Sequence, residues 1–328
     1  MARMIVPRYW AEARLQERSK SGQITVRRWG WSDDAPEKAQ ALAESRAREA
    51  MDRLRKGETL LRREPKVPYN GAEGVPIREE IVQRHGETLV TRNGYGALCL
   101  NTPDVCFVDV DFHMPPQPCG LIALAALGGA ATAALVFPGL RLKAALFAAL
   151  FTLILLPWAL ALIRRLRVKL TGGWEPFALA RVRRVLGEHS EGRYRVYRTP
   201  AGLRVLATHR TFDPTAPETA AFFRRLGTDP IYARMCLRQH CFRARVSPKP
   251  WRAGVAAHLK PNPGVWPVSE DRLPDRKEWV ARYEAAAKGY ASCRLLEAIG
   301  TAPEHPAARE VRELHDELSR ALTSLPLA

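Results

Sequence analysis

The sequence predicts an α+β protein: a cytoplasmic domain with an antiparallel sheet and flanking helices, interrupted by a two-helix transmembrane hairpin. Three observations predict it. Short segments rich in β-branched and aromatic residues, divided by Asn93-Gly94 and Pro200-Ala-Gly202, lie on both sides of residues 119–163. Apolar residues recur at helical spacing near each end of the chain. Residues 119–163 themselves carry only two charges, Arg141 and Lys143.

The organisation follows: residues 1–118 as the N-terminal part of the soluble domain, 119–163 as the hairpin, and 164–328 as a basic C-terminal part. Gln23 to Ser32 reads as a strand, ended by Ser32-Asp-Asp before an Ala-rich helix over 35–56, with Ala39, Leu42, Ala43, Ala47 and Met51 on one face. The prolines and Asn70-Gly71 of residues 64–76 make a loop. Thr88 to Thr91, Tyr95 to Leu100 and Val105 to Phe112 follow as three strands of an antiparallel meander. On the last, Phe107, Asp109 and Asp111 share one face and Val108, Val110 and Phe112 the other.

Cys119 to Phe137 and Ala144 to Ile163 are apolar runs of 19 and 20 residues. As helices each would extend ~30 Å, the thickness of a bilayer's hydrocarbon core. Pro138-Gly139 supplies the turn, and Ala126, Ala130 and Ala134 form a small-residue stripe for close helix packing. Arg164, Arg165, Arg167 and Lys169 follow the second run, against Arg141 and Lys143 in the loop. That bias predicts a multi-pass inner (cytoplasmic) membrane protein with both termini cytoplasmic. Six cysteines without a dense framework agree with a reducing compartment, and 41 Arg against 10 Lys points to a GC-rich bacterial genome.

Beyond the hairpin, Trp174 to Leu186 reads as a basic helix, and Arg193 to Thr199 with Leu203 to His209 as a hairpin that joins the meander in one sheet. Residues 216–227 and 229–238 read as short helices and Cys241 to Val246 as a strand. The chain finishes with helices over 274–299, carrying Trp279, Tyr283, Ala287 and Tyr290, and over 303–322, carrying Val311, Leu314, Leu318 and Leu322.

Charge is placed unevenly. Residues 1–118 hold 19 basic and 17 acidic side chains, a net of +2, whereas 164–252 hold 20 against 6, a net of +14. A field of that sign attracts either anionic lipid headgroups or a polyanion such as nucleic acid or a nucleotide. No Gly-x-Ser-x-Gly or Walker-type loop is present, which removes support for hydrolase and ATPase readings. Cys236, His240 and Cys241 lack the second ligand pair of a structural zinc site.

Asp109 and Asp111, two apart on a strand, suit Mg²⁺ or Mn²⁺ held with a phosphate substrate, or equally the exposed face of a half-buried strand. Arg243 and Arg245 share a strand face, and their forked guanidinium groups suit phosphate or internal carboxylates. Trp251, inside the basic Arg243-Ala-Arg-Val-Ser-Pro-Lys-Pro-Trp-Arg252, suits a stacked base or a membrane interface.

Thr91-Arg-Asn-Gly-Tyr-Gly96, then the acidic strand, then Arg198-Thr-Pro-Ala-Gly-Leu-Arg204 together resemble the archaeo-eukaryotic primase-like (primase-polymerase) catalytic core. That family has a Gly-containing strand leading to a hydrophobic Asp-x-Asp strand and a later Thr-x-Ser-Gly-Gly-x-His hairpin that binds nucleotide phosphate. The resemblance covers residues 88–112 and 192–213. It implies metal ligation by Asp109 and Asp111, with Thr199, Gly202 and Arg204 where the nucleotide-binding hairpin would be. Arg204 stands in place of the family's histidine, and Cys241 to Val246 offers arginines where a third acidic ligand is expected. The resemblance therefore implies a degenerate core that binds phosphate without polymerising. The rival expectation is a non-catalytic membrane scaffold or assembly protein whose basic face binds anionic lipid.

Overall fold

Alternating apolar strands and short amphipathic helices build the architecture in a computed structural model, which describes residues 6–19, 22–64, 76–112, 158–159, 161–189, 191–262 and 266–328. The chain divides into two compact units, one of residues 1–110 with 185–328 and the other of residues 111–184. The first unit is thus assembled from both ends of the chain.

Its N-terminal layer is the antiparallel pair β1 (Tyr9–Ser19) and β2 (Gly22–Ser32) with helix α1 (Pro36–Arg55) laid across it. Alternation explains the packing: Ala13 and Val26 face the helix and meet Ala43, Ala47, Ala50 and Met51. Small residues let the backbones approach closely. A Cβ on Gly30 would stand 2.1 Å from the Ala39 carbonyl oxygen, so only glycine fits.

Two four-stranded sheets follow. One runs β3 (Glu80–His85), β4 (Thr88–Arg92), β5 (Leu98–Thr102) and β9 (Phe242–Arg245). The other runs β10 (Arg294–Ile299), β7 (Tyr194–Thr199), β8 (Gly202–Ala207) and β6 (Phe107–Asp111). Each sheet draws strands from before and after residues 113–157. The meander is corrected accordingly: β4 and β5 pair, but β6 leaves them for the hairpin's sheet, its start tied by Ala207 N–H donating to the Cys106 carbonyl at 3.0 Å. Two inter-sheet ties exist at β6, β8 and β9. The Tyr232 hydroxyl lies 3.0 and 2.9 Å from the carbonyl oxygens of Phe107 and Arg243, and Arg204 donates to the Arg245 carbonyl at 2.8 Å.

The helices are α2 (Trp174–Gly187), α3 (Pro217–Leu226), α4 (Pro230–Gln239), α5 (Leu273–Ala287) and α6 (Pro306–Ser319). The expected helix over 274–299 is shorter, because it ends at Ala287 before Gly289 and the chain resumes as β10. Trp279 and Tyr283 of α5 stack at 5.3 Å beside Val255 and Leu259. The Tyr283 hydroxyl donates to the Pro248 carbonyl at 2.6 Å and lies 2.6 Å from Ser247 Oγ, which accepts from Leu98 N–H. That chain of bonds fixes α5 to the β5–β9 edge.

The transmembrane hairpin is also corrected. No helix among the described residues is long and apolar enough to cross a membrane. The first expected span, 119–137, and most of the second, 144–163, lie outside the described residues. From 161 to 170 the chain is helical, and within that stretch Arg164, Arg165, Arg167 and Lys169 put four cations into ten residues. The multi-pass inner-membrane placement and the membrane-spanning description rested on that hairpin and are withdrawn with it.

Candidate functional site

Register decides which polar side chains meet. Arg204 lies opposite Tyr197 in the β7–β8 hairpin, while Thr199 and Gly202 close its two-residue turn. Thr199 Oγ1 accepts from Gly202 N–H at 3.0 Å, so this hydroxyl serves the turn. Arg204 is 2 % exposed and reaches Asp109 with both arms of its fork, Nε to Oδ1 at 2.8 Å and Nη2 to Oδ2 at 3.2 Å. Burial opposes a charged guanidinium, but Asp109 outweighs it and raises the pKa of Arg204 above the ordinary arginine value.

Sequence reasoning missed what lies behind this pair. Arg204 Nη1 is 3.3 Å from His315 Nε2, His315 Nδ1 is 3.0 Å from Asp316 Oδ1, and Arg195 Nη2 is 3.1 Å from Asp316 Oδ2. These contacts join Asp109, Arg204, His315, Asp316 and Arg195 in one continuous polar chain. Cys293 Sγ joins from the side, 3.8 Å from His315 Nε2. Burial opposes ionisation of that thiol, but His315 and Arg204 outweigh it and lower its pKa. Cys293, His315 and Asp316 have the residue types of a nucleophilic set, yet the thiol and imidazole are fully buried. The imidazole of this buried set contacts Arg204 from the interior. No local motif announces it, since 111 residues separate Arg204 from His315.

The arginines of β9 share one strand face but have different partners. Arg243 is buried and donates from Nη2 to both oxygens of Glu79 at 2.8 and 2.7 Å, and from Nη1 to Asn101 at 2.8 Å. Thr91 donates to the same Glu79 at 2.7 Å, so this carboxylate is saturated. Arg245 lies partly exposed with the Tyr95 hydroxyl as its hydrogen-bonding neighbour. Among the described residues no carboxylate pairs with it, and its buried Nε has no hydrogen-bond partner. Tyr95 in turn lies 5.3 Å from Trp251, centroid to centroid.

Asp109 and Asp111 both belong to β6. Both Asp109 oxygens accept from the Arg204 guanidinium. No group of three or more His, Cys, Asp or Glu among the described residues is placed to hold a metal ion. The structure therefore brings Asp109 together with Arg204, and Arg243 with Glu79, and pairs Arg245 with no carboxylate among the described residues. Comparison of the chain with family models, curated proteins and solved structures gives no match.

Proposed function

We propose that this chain binds nucleic acid or a nucleotide through phosphate contacts at Arg245, without catalysing a reaction at the Asp109–Arg204 pair. The observation that carries this reading is the contrast within β9. Burial opposes the charge of Arg245, but the Tyr95 hydroxyl offsets this and raises its pKa above the ordinary arginine value. The guanidinium therefore stays charged and can meet an external anion where no carboxylate among the described residues pairs with it. Arg245 is the position on β9 where a ligand phosphate would supply what Glu79 supplies to Arg243. The excess of basic residues between 164 and 252 favours the same class of ligand by drawing polyanions to the chain.

The Asp109 carboxylate supports the non-catalytic half of the reading. Its interaction with Arg204 fixes a cation where metal-assisted phosphoryl chemistry would need a metal, and moving Arg204 aside would strand a buried charge. The test is oligonucleotide binding by fluorescence anisotropy across a salt series. Arg245→Met should lower affinity roughly tenfold at low salt and reduce the slope of log K against log salt by about 0.7 per lost single-strand phosphate contact. Equal affinity and slope in wild type and variant would remove Arg245 from the site, and absence of salt-sensitive binding by the wild type would end the proposal.

A further inference from the structure

Resting on the phosphate-binding reading, we infer that the ligand is single-stranded nucleic acid, one of whose unpaired bases stacks on Trp251. The indole is 54 % exposed, although the surrounding backbone is well fixed. Trp251 belongs to the 3-10 turn Pro250–Ala253, in which the Lys249 carbonyl accepts from Arg252 and Ala253 N–H at 2.9 and 3.2 Å. Val255 N–H then bonds the Pro250 carbonyl at 2.9 Å, and its side chain enters the core beside Trp279 and Tyr283. The turn is therefore anchored from beneath while its largest apolar side chain faces solvent.

The neighbour on one side is equally fixed. Tyr95 sits in the β4–β5 loop, where Asn93 Oδ1 accepts from the N–H groups of Tyr95 and Ala97 at 3.2 and 3.1 Å. Gly96 follows with φ of 103°, and a Cβ there would stand 2.3 Å from the Trp279 ring. Only glycine permits that turn against that ring. Tyr95 meets Trp251 at an interplanar angle of 60°, which is a tilted contact and leaves the indole unstacked by it. Lys249 Nζ lies 5.3 Å from the indole centroid.

Cation, tyrosine and half-exposed tryptophan thus stand in sequence from Arg245 outward. A phosphate at Arg245 and a base on Trp251 are the two halves of a nucleotide, and a π-face accepts any base without reading its edge. Duplex DNA keeps its bases stacked on each other, so such a platform discriminates for single strands. Rigid placement of the aromatic groups matters because ordering them on binding would otherwise cost affinity.

The experiment compares three fluorescein-labelled probes on the full chain: oligodeoxythymidylate, a duplex of the same length, and an abasic oligonucleotide with the same phosphates. Wild type should prefer the thymidylate strand to both others. Trp251→Ala should lose about tenfold in affinity for that strand while binding the abasic probe as before, and Trp251→Phe should recover much of the loss. An unchanged unfolding midpoint for Trp251→Ala would show that the fold is intact. If the wild type binds all three probes alike, or Trp251→Ala weakens all alike, base stacking is overturned and phosphate binding at Arg245 still stands. If no probe binds in a salt-sensitive manner, both ideas fall together.

Discussion

The two arginines of β9 differ in their partners: buried Arg243 has Glu79 and Asn101, whereas partly exposed Arg245 has the Tyr95 hydroxyl and, among the described residues, no carboxylate. They are two residues apart on one face of the same strand, made by the same register with β5. Arg243 is an internal structural cation, comparable with Arg204 on Asp109, and Arg245 is the cation proposed above to meet a phosphate. Residue type and periodicity are blind to this difference, which depends on a carboxylate 164 residues away in sequence.

The largest effect that would test this contrast is the loss of Glu79. Glu79→Ala leaves the Arg243 guanidinium buried without its carboxylate, a change that costs about 3–5 kcal/mol. A urea titration should show the midpoint fall by an amount consistent with that figure at constant slope. A loss below about 1 kcal/mol would mean that Arg243 finds another partner and is no more internal than Arg245.

Asp109→Asn comes next. Asn preserves shape and one acceptor, so Arg204 keeps its hydrogen bonds to Arg245 and His315 and loses a charge that is itself partly exposed. Destabilisation of about 2 kcal/mol is expected. Millimolar Mg²⁺ should leave the unfolding temperature of both proteins unchanged, because Arg204 already neutralises Asp109. A Mg²⁺-dependent rise in wild type that vanishes in Asp109→Asn would show that the carboxylate leaves Arg204 for a metal.

Acid reaches the far end of the same network. Burial alone would raise the pKa of Asp316, but His315 and then Arg195 and Tyr197 outweigh it, and the net direction is below the ordinary 3.8. A depressed carboxylate contributes stability that is present above 3.8 and is lost as pH falls through the lower folded-state value. Wild type should therefore lose stability on acidification below 3.8 more steeply than Asp316→Asn. Parallel curves would show that Asp316 carries no linked stabilisation.

Much of the fold was legible because it depends on local pattern. The 11-residue β2, the α1 helix, the β7–β8 hairpin and the helices around 217–239 follow alternation, caps and Pro or Gly boundaries, as read. Four strands were not legible. β1 is rich in charged residues and buries Ala13 alone among its described side chains. β10 carries Arg294-Leu-Leu-Glu-Ala-Ile299, which continues the apolar spacing of α5 and was absorbed into it. β3 is mostly exposed and has no apolar face to reveal it. β6 changes sheets, a matter of pairing at long range that alternation cannot express. The site divides in the same way. Asp109, Arg204 and Arg243 were chosen for chemistry that spacing permits, whereas their partners Glu79, Asn101 and His315 carry no motif. The apolar length of residues 119–163 suggested a membrane hairpin, but no helix among the described residues is long and apolar enough to cross a membrane.

The smallest expected effect separates the two arginines most sharply. Arg245→Met keeps the length and volume of the side chain, gives up one hydrogen bond to Tyr95, and removes a half-buried charge that no carboxylate compensates. The lost bond costs about 1 kcal/mol, and stability should fall by no more than about that amount. Arg243→Met differs in kind, since it strands Glu79 beside Thr91 in the interior and should destabilise by several times as much. If both variants unfold at the same urea concentration as wild type, the counter-ion argument fails for Arg243. If both fall equally, Arg245 has an internal role like that of Arg243.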